Sequence, residues 1–460
     1  MRAGGRSWRE LVPPWGQRLL GREGGLWERV AGAALWSIGG TGIMNALTTA
    51  SSVVCARLLG STRFGELAIL LSTVNFFLVI GSAGLGMTAS RYVGGHRNAD
   101  PVRAGRIIGL CSATALAVGL GIATLCVLFA PWLSTAVLRA PGLARGVALA
   151  GGILLFSTIN ASQVGILGGL EDFRSIAIGN VIRGVGVALL ASAGAALLGL
   201  NGTLLGYLIA GLATTVYYRI SFHRDCKSRS TPVTFRFEAQ DFRILYTFTL
   251  PVLVATLSHL PAVWWTNVLL ARTKGYAEAG IYNAIMQCQV LILFITTATS
   301  NISLPTLSNV LSEGDGRTYK RCLRANFLVT SVPAVIVAIL VAVFSRFIMG
   351  LYGPAFQVAS NAVILICISA IFLAISTPMN LAMWSLDAAV PAIALSLVRG
   401  GVLVIAAYAL VGKGAEGLVW ANVIMAVLQA AVGLPWLAVL IRRRFRSGLT
   451  IAPQESWAGK

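Results

Sequence analysis

Apolar runs of about twenty residues recur along the chain, separated by short arginine-rich clusters, and this pattern constrains the fold more than any other feature of the sequence. A run of that length crosses the ~30 Å hydrocarbon core of a bilayer as a helix, which satisfies its own backbone where no water can. Twelve runs are predicted, at about 35–57, 64–90, 106–130, 147–169, 176–198, 202–221, 244–271, 279–304, 326–349, 356–384, 390–411 and 417–440. Charged residues make up 11% of the 460 and hydrophobic ones 56%, against about 25% charged in soluble domains. The chain reads as an all-α polytopic membrane protein with about 12 transmembrane helices, and a soluble globular protein is excluded.

Thirty-six Lys and Arg against 16 Asp and Glu leave a net charge of +20. On a folded soluble domain that excess would point to a nucleic-acid surface. Here the cations lie between apolar runs, so no nucleic-acid partner is expected. With the N-terminus inside, the inner tails and connections hold 26 Lys or Arg and the outer connections seven. That is the positive-inside asymmetry, and the even span count puts both termini in the cytoplasm. The first 30 residues carry six arginines without a compact apolar core, which reads as a cytoplasmic tail and not a cleavable signal. The expected organisation is a basic tail at 1–34, a six-helix lobe at 35–221, a basic linker at 222–243, a second six-helix lobe at 244–441 and a tail at 442–460. Seven cysteines lack CxxC or metal-like spacing and read as small core residues, neither disulfides nor metal ligands.

The sequence repeats itself. Arg57-x2-Gly60-x4-Gly65 at the first outer turn matches Arg272-x2-Gly275-x4-Gly280 after the seventh span at an offset of 215. Val181-Ile182-Arg183-Gly184 matches Leu397-Val398-Arg399-Gly400 at an offset of 216. Both pairs fall at equivalent places in the span count, which predicts two six-helix lobes related by internal duplication. Parallel six-span repeats imply an axis along the membrane normal, a substrate site near the midplane between the lobes and alternating access by rocking.

Three cations inside or at the edge of spans belong to neither the inner nor the outer group: Arg57, Arg183 and Arg399. An arginine at the centre of a spanning helix costs about 2.5–3.5 kcal/mol, so it faces protein or a water-filled cavity. Opposed across a cavity, Arg183 and Arg399 would hold a phosphate or pyrophosphate between two guanidinium forks; the alternative is that each caps polar backbone or sits near the inner interface. No carboxylate falls clearly in the middle of a span, whereas a cation carrier usually needs one, so an anionic substrate is favoured. His259, flanked by Pro251 and Pro261 and followed by Trp264, Trp265 and Asn267, reads either as a proton-coupling or sugar-donating group or as the partner of a carbonyl freed by proline. Asn45, Asn75, Asn160, Gln163, Asn283, Gln287 and Asn380 either line the cavity or tie helices together. Gly81-x2-Gly84-x-Gly86 predicts a bend. There is no GxSxG, HExxH or GxxxxGK and no pair of carboxylates set in a pocket, so neither an enzyme nor a cofactor is expected. The candidate substrate-binding residues are Arg183, Arg399, Arg57, Arg91, His259, Asn267, Asn283 and Gln287.

Ala56-Arg57-Leu58-Leu59-Gly60, Phe64-Gly65-Glu66-Leu67-Ala68, Gly84-Leu85-Gly86 and Arg91-Tyr92, with Gly280-Ile281-Tyr282-Asn283-Ala284 and Leu304-Pro305 in the second half, resemble the polysaccharide-export flippases of the MOP superfamily, the Wzx-like carriers of O-antigen and lipid-linked oligosaccharide. Late in span seven that family often has an acid, where this chain has Thr266-Asn267. The resemblance implies a multi-pass protein of the bacterial cytoplasmic (inner) membrane with two lobes around a cationic cavity. It would move an undecaprenyl-pyrophosphate-linked oligosaccharide from the cytoplasmic to the periplasmic leaflet, with membrane lipids, a glycan polymerase and the export machinery as further partners. The competing functions are a multidrug cation antiporter of the same superfamily and a membrane-embedded glycan polymerase, which needs a larger outer loop than any here.

Overall fold

The computed structural model describes residues 26–82, 84–97, 100–229, 231–234, 238, 257, 259–312, 316–386 and 388–446. Among the described residues every regular element is a helix. Eight stretches are long and apolar enough to cross a membrane. Three of them, Trp36–His96, Phe173–Ser228 and Val390–Phe445, double back at Gly60, Gly199 and Gly414, which brings the described crossings to eleven. Leu260–Lys274 is the described part of the twelfth.

In the first lobe the longer helices are α1 (Leu26–Ser82), α2 (Leu85–His96), α3 (Pro101–Leu128), α4 (Ala144–Gly169), α5 (Phe173–Gly186) and α6 (Ser192–Ser228). In the second they are α7 (Leu260–Lys274), α8 (Tyr276–Ser312), α9 (Gly316–Val343), α10 (Ser345–Tyr352), α11 (Ser360–Ser385), α12 (Ala389–Leu410) and α13 (Gly414–Arg446). The predicted second span, 64–90, is two helices: α1 stops at Ser82 and α2 starts after Gly84, whose left-handed φ of 73° makes the bend. Helices also outrun the apolar stretches. Residues 26–34 of the predicted tail are the start of α1, and α6 continues to Ser228, seven residues into the predicted linker. Most of the remaining linker and both chain ends lie outside the described residues.

The repeat is visible in the backbone. Gly60 has φ 74° and ψ 169°, and Gly275, 215 residues on, has φ 93° and ψ 169°. This region is open only to glycine. A second pair follows the same rule: Gly199 at φ 60°, ψ −139° and Gly414 at φ 68°, ψ −144°, again 215 apart. All four glycines turn helical hairpins at one end of the bundle, the far end. The near end carries the start of α1 and the close of α13.

Within the first lobe α1 packs on α5, α3 on α4 and α4 on α6; within the second, α8 on α11 and α13 on both α11 and α12. The lobes meet where α1 packs on α7 and α8. The crossing is reciprocal. A Cβ on Gly65 would sit 1.7 Å from the Tyr276 carbonyl oxygen, and one on Gly280 would sit 2.3 Å from that of Ser61. Ser61 and Tyr276 are themselves 215 apart, so a pseudo-two-fold axis runs between Gly65 and Gly280.

Candidate functional site

Depth in the bundle follows from the helical rise of ~1.5 Å per residue, counted from the far-end glycine turns. Arg183 lies 16 residues before Gly199, Arg399 15 before Gly414, Asn45 15 before Gly60, His259 16 before Gly275 and Gln289 14 after it. These five side chains, from both lobes, therefore form one level ~21–24 Å from the far-end turns. Asn267 and Asn283 lie higher, each ~12 Å from Gly275, and are joined by an Asn283 Nδ2 to Asn267 Oδ1 hydrogen bond of 3.0 Å.

Between the first arm of α1 and α8 lies a cavity of about 330 Å³. Its polar lining is Ser37, Thr41, Asn45, Gln289 and Thr297, and its apolar walls include Phe294. A chain of hydrogen bonds leads from it into the first lobe: Asn180 Nδ2 donates to Thr41 Oγ1 (3.3 Å), and Tyr218 donates to Asn180 Oδ1 (3.2 Å). Arg183, one turn beyond Asn180, lies within electrostatic reach of Tyr207 and Tyr218. In the second lobe Arg399 lies within electrostatic reach of His259, whose backbone carbonyl accepts from Ala262 and Val263 at the start of α7. Neither guanidinium has a hydrogen bond or ion pair among the described residues. The two arginines are half-buried and share a depth.

The other predicted site residues are dispersed. Arg57 is exposed at the far end and donates to the carbonyls of Leu351 (2.5 Å) and Gly350 (3.2 Å). Arg91 lies on α2 with its guanidinium 5.9 Å from the Tyr92 ring centroid. Gln287 is half-buried on α8, while the cavity is lined by Gln289, two residues on and ~160° away around the helix at ~100° per residue. The Gln289, Leu293, Thr297 spacing would have identified that face. Asn160 and Gln163 link α4 to α6, through bonds with Thr215 and the carbonyls of Gly211 and Thr215. Trp264 bridges the lobes: its ring stacks on Phe76 at 5.0 Å and its Nε1 donates to Thr73 Oγ1 at 3.0 Å. The described cysteines are buried, apart from the half-buried Cys322.

At the far end the lobes are tied together. Besides Arg57, Ser52 bonds with Tyr352 (3.2 Å) and Phe64 packs edge-on against Tyr352 and Phe356. In the reciprocal direction, Tyr276 donates to the Leu138 carbonyl (2.7 Å). The molecule is thus closed at the far end, with its cavity toward the near end.

The fold is shared with solved MOP-superfamily transporters. An inward-facing multidrug resistance MATE family transporter matches with a TM-score of 0.77 at 15% identity, over 90% of this chain and 100% of its own. The outward-facing conformation of such a transporter matches at 0.69 and 15%, over 90% and 96%. So does, at 0.69 and 15% over 90% and 96%, a transporter from Pyrococcus furiosus whose binding pocket has reversed polarity, suggesting a different function. No curated protein matches by sequence. The profile of the polysaccharide biosynthesis protein family matches residues 31–311, more than half of the chain. The chain therefore belongs to the polysaccharide biosynthesis protein family and is built on the fold of the MOP-superfamily transporters.

Proposed function

We propose that the protein flips an undecaprenyl-pyrophosphate-linked oligosaccharide across the bacterial inner membrane for polysaccharide export. The observation that carries this reading is the pair Arg183 and Arg399: one per lobe, at one depth, each without a hydrogen-bonding or ion-pairing partner among the described residues. Holding unpaired cations at membrane depth is unfavourable unless a ligand or water meets them, and a pyrophosphate matches guanidinium in charge and geometry. The protein is a carrier and not an enzyme. The near end, where the Arg and Lys clusters gather, is cytoplasmic and holds both termini. The conformation closed at the far end then receives cargo from the cytoplasmic leaflet.

The structural likeness to multidrug MATE transporters favours a second reading, cation antiport. The absence of a carboxylate from the middle of every span argues against it, since a drug cation would meet two guanidinium groups. In proteoliposomes, Arg183→Ala and Arg399→Ala are each expected to lower flipping of a fluorescent lipid-linked pyrophosphate glycan at least tenfold, with membrane insertion intact; Arg→Lys should restore part of it. Undiminished flipping by the double variant, or drug resistance conferred on an efflux-deficient host, overturns the proposal.

A further inference from the structure

The cavity between α1 and α8 differs in chemistry from the arginines at its level. Among the described residues no charged side chain lines it. What its polar groups offer follows from the bonds they already make. Thr41 Oγ1 accepts from Asn180, so its own proton remains to be donated. The Asn45 amide makes no bond among the described residues and presents both donors and an acceptor. Gln289 donates one N–H to Ser369 Oγ (3.2 Å), which leaves its carbonyl to accept and its second N–H to donate. Thr297 gives its proton to the Leu293 carbonyl (2.9 Å), so its oxygen accepts. The wall therefore mixes donors and acceptors, with Phe294 supplying apolar surface.

An anion only accepts, and leaves the Gln289 carbonyl and Thr297 oxygen unmet. An ammonium only donates, and leaves the Thr41 proton and the Asn45 N–H groups unmet. A sugar hydroxyl does both and uses either kind. The volume, about 330 Å³, is at the low end of the ~300–1,000 Å³ of small-molecule sites. We infer that this cavity is a subsite for an uncharged, hydroxyl-bearing sugar unit of the cargo, separate from the arginines that meet its charge, with Asn45 and Gln289 as the principal contacts. The inference rests on the flippase reading for the identity of the cargo, but not for the chemistry of the cavity.

Two measurements on the full-length protein separate the two ideas. For binding, Ser37→Cys in a Cys322→Ser background is labelled with a water-soluble maleimide, in the presence of diglucosyl-diacylglycerol, a neutral glycolipid, or of sugar-free diacylglycerol. The glycolipid is expected to slow labelling at least threefold and diacylglycerol not at all, and adding Asn45→Leu should remove the protection. For transport, polyprenyl pyrophosphate is compared with and without its glycan. Each lost neutral hydrogen bond is worth about two- to tenfold, so Asn45→Leu and Gln289→Leu should each lower the ratio of glycosylated to bare flipping by about fivefold. Thr41→Val serves as a smaller lesion where either variant folds poorly. Equal protection by both lipids, or an unmoved ratio in all three variants, overturns the subsite. If the wild type flips neither pyrophosphate lipid while the glycolipid still protects, the flippase reading fails and the neutral subsite stands.

Discussion

Gly65 and Gly280 do different work from Gly60 and Gly275, although each pair belongs to one repeated motif. Gly60 and Gly275 have nothing within 4 Å of a built Cβ; they are required for their backbone angles. Gly65 and Gly280 are helical, and a Cβ on either would strike the backbone of the other lobe. The two substitutions should therefore fail differently. Gly60→Ala is expected to strain the hairpin by about 1–3 kcal/mol, lowering thermal stability while the lobes still meet. Gly65→Ala has no flexible side chain to displace, so it should hold the lobes apart at the far end. Labelling of Ser61→Cys by a membrane-impermeant maleimide should rise several-fold with Gly65→Ala and change little with Gly60→Ala. Equal labelling in both would remove Gly65 from the lobe contact.

At the level of elements, apolar runs and glycine spacing carried most of the fold. The twelve crossings and the 57–65 and 272–280 repeat were legible because both are local patterns. Helix ends were not, because a helix continues past the membrane for as long as its polar turns bond internally, as α6 does to Ser228. The Gly199 and Gly414 pair is hard to read because Gly-x2-Gly is short, and Gln287 is not distinguishable from Gln289 because sequence does not show which side of α8 meets the cavity. The return of the repeat offset from 216 at the arginines to 215 at Gly199 and Gly414 has a structural cause. Sixteen residues separate Arg183 from Gly199, but fifteen separate Arg399 from Gly414. The extra one falls in the π-helical turn Val187–Ala191 that joins α5 to α6, where α12 is unbroken. A π turn accommodates an additional residue without changing the helix on either side. Deleting Leu189, which is exposed, should convert that turn to α-helix and leave Arg183 in place. Deleting Val404 from α12 should rotate Arg399 by ~100° relative to Gly414. Size-exclusion profiles in detergent should stay monodisperse for the first deletion and collapse for the second; similar behaviour in both would refute the insertion.

For the whole molecule, the far-end closure is the interaction set that alternating access must break. It is reciprocal in the sense of the pseudo-two-fold: Ser52, Arg57 and Phe64 of the first lobe reach residues 350–356 of the second, and Tyr276 of the second reaches Leu138 of the first. Most of that set is apolar packing shared among several rings, so no single ring holds the end shut. Arg57 is different: one exposed side chain binds two carbonyls of the opposite lobe. Its bonds are charge-assisted but solvated, so together they contribute about 1 kcal/mol. Arg57→Ala is accordingly expected to raise the ratio of open to closed far ends about fivefold without unfolding either lobe. Spin labels at Arg63 and Arg346, both exposed at that end, report it: the pulsed dipolar distance distribution should gain a longer component in Arg57→Ala and keep its short one. An unchanged distribution would mean that the arginine rests on the closed interface without holding it. In that case the Phe64, Tyr352 and Phe356 cluster, with the Gly65 and Gly280 crossing beneath it, is what a change of state must pull apart.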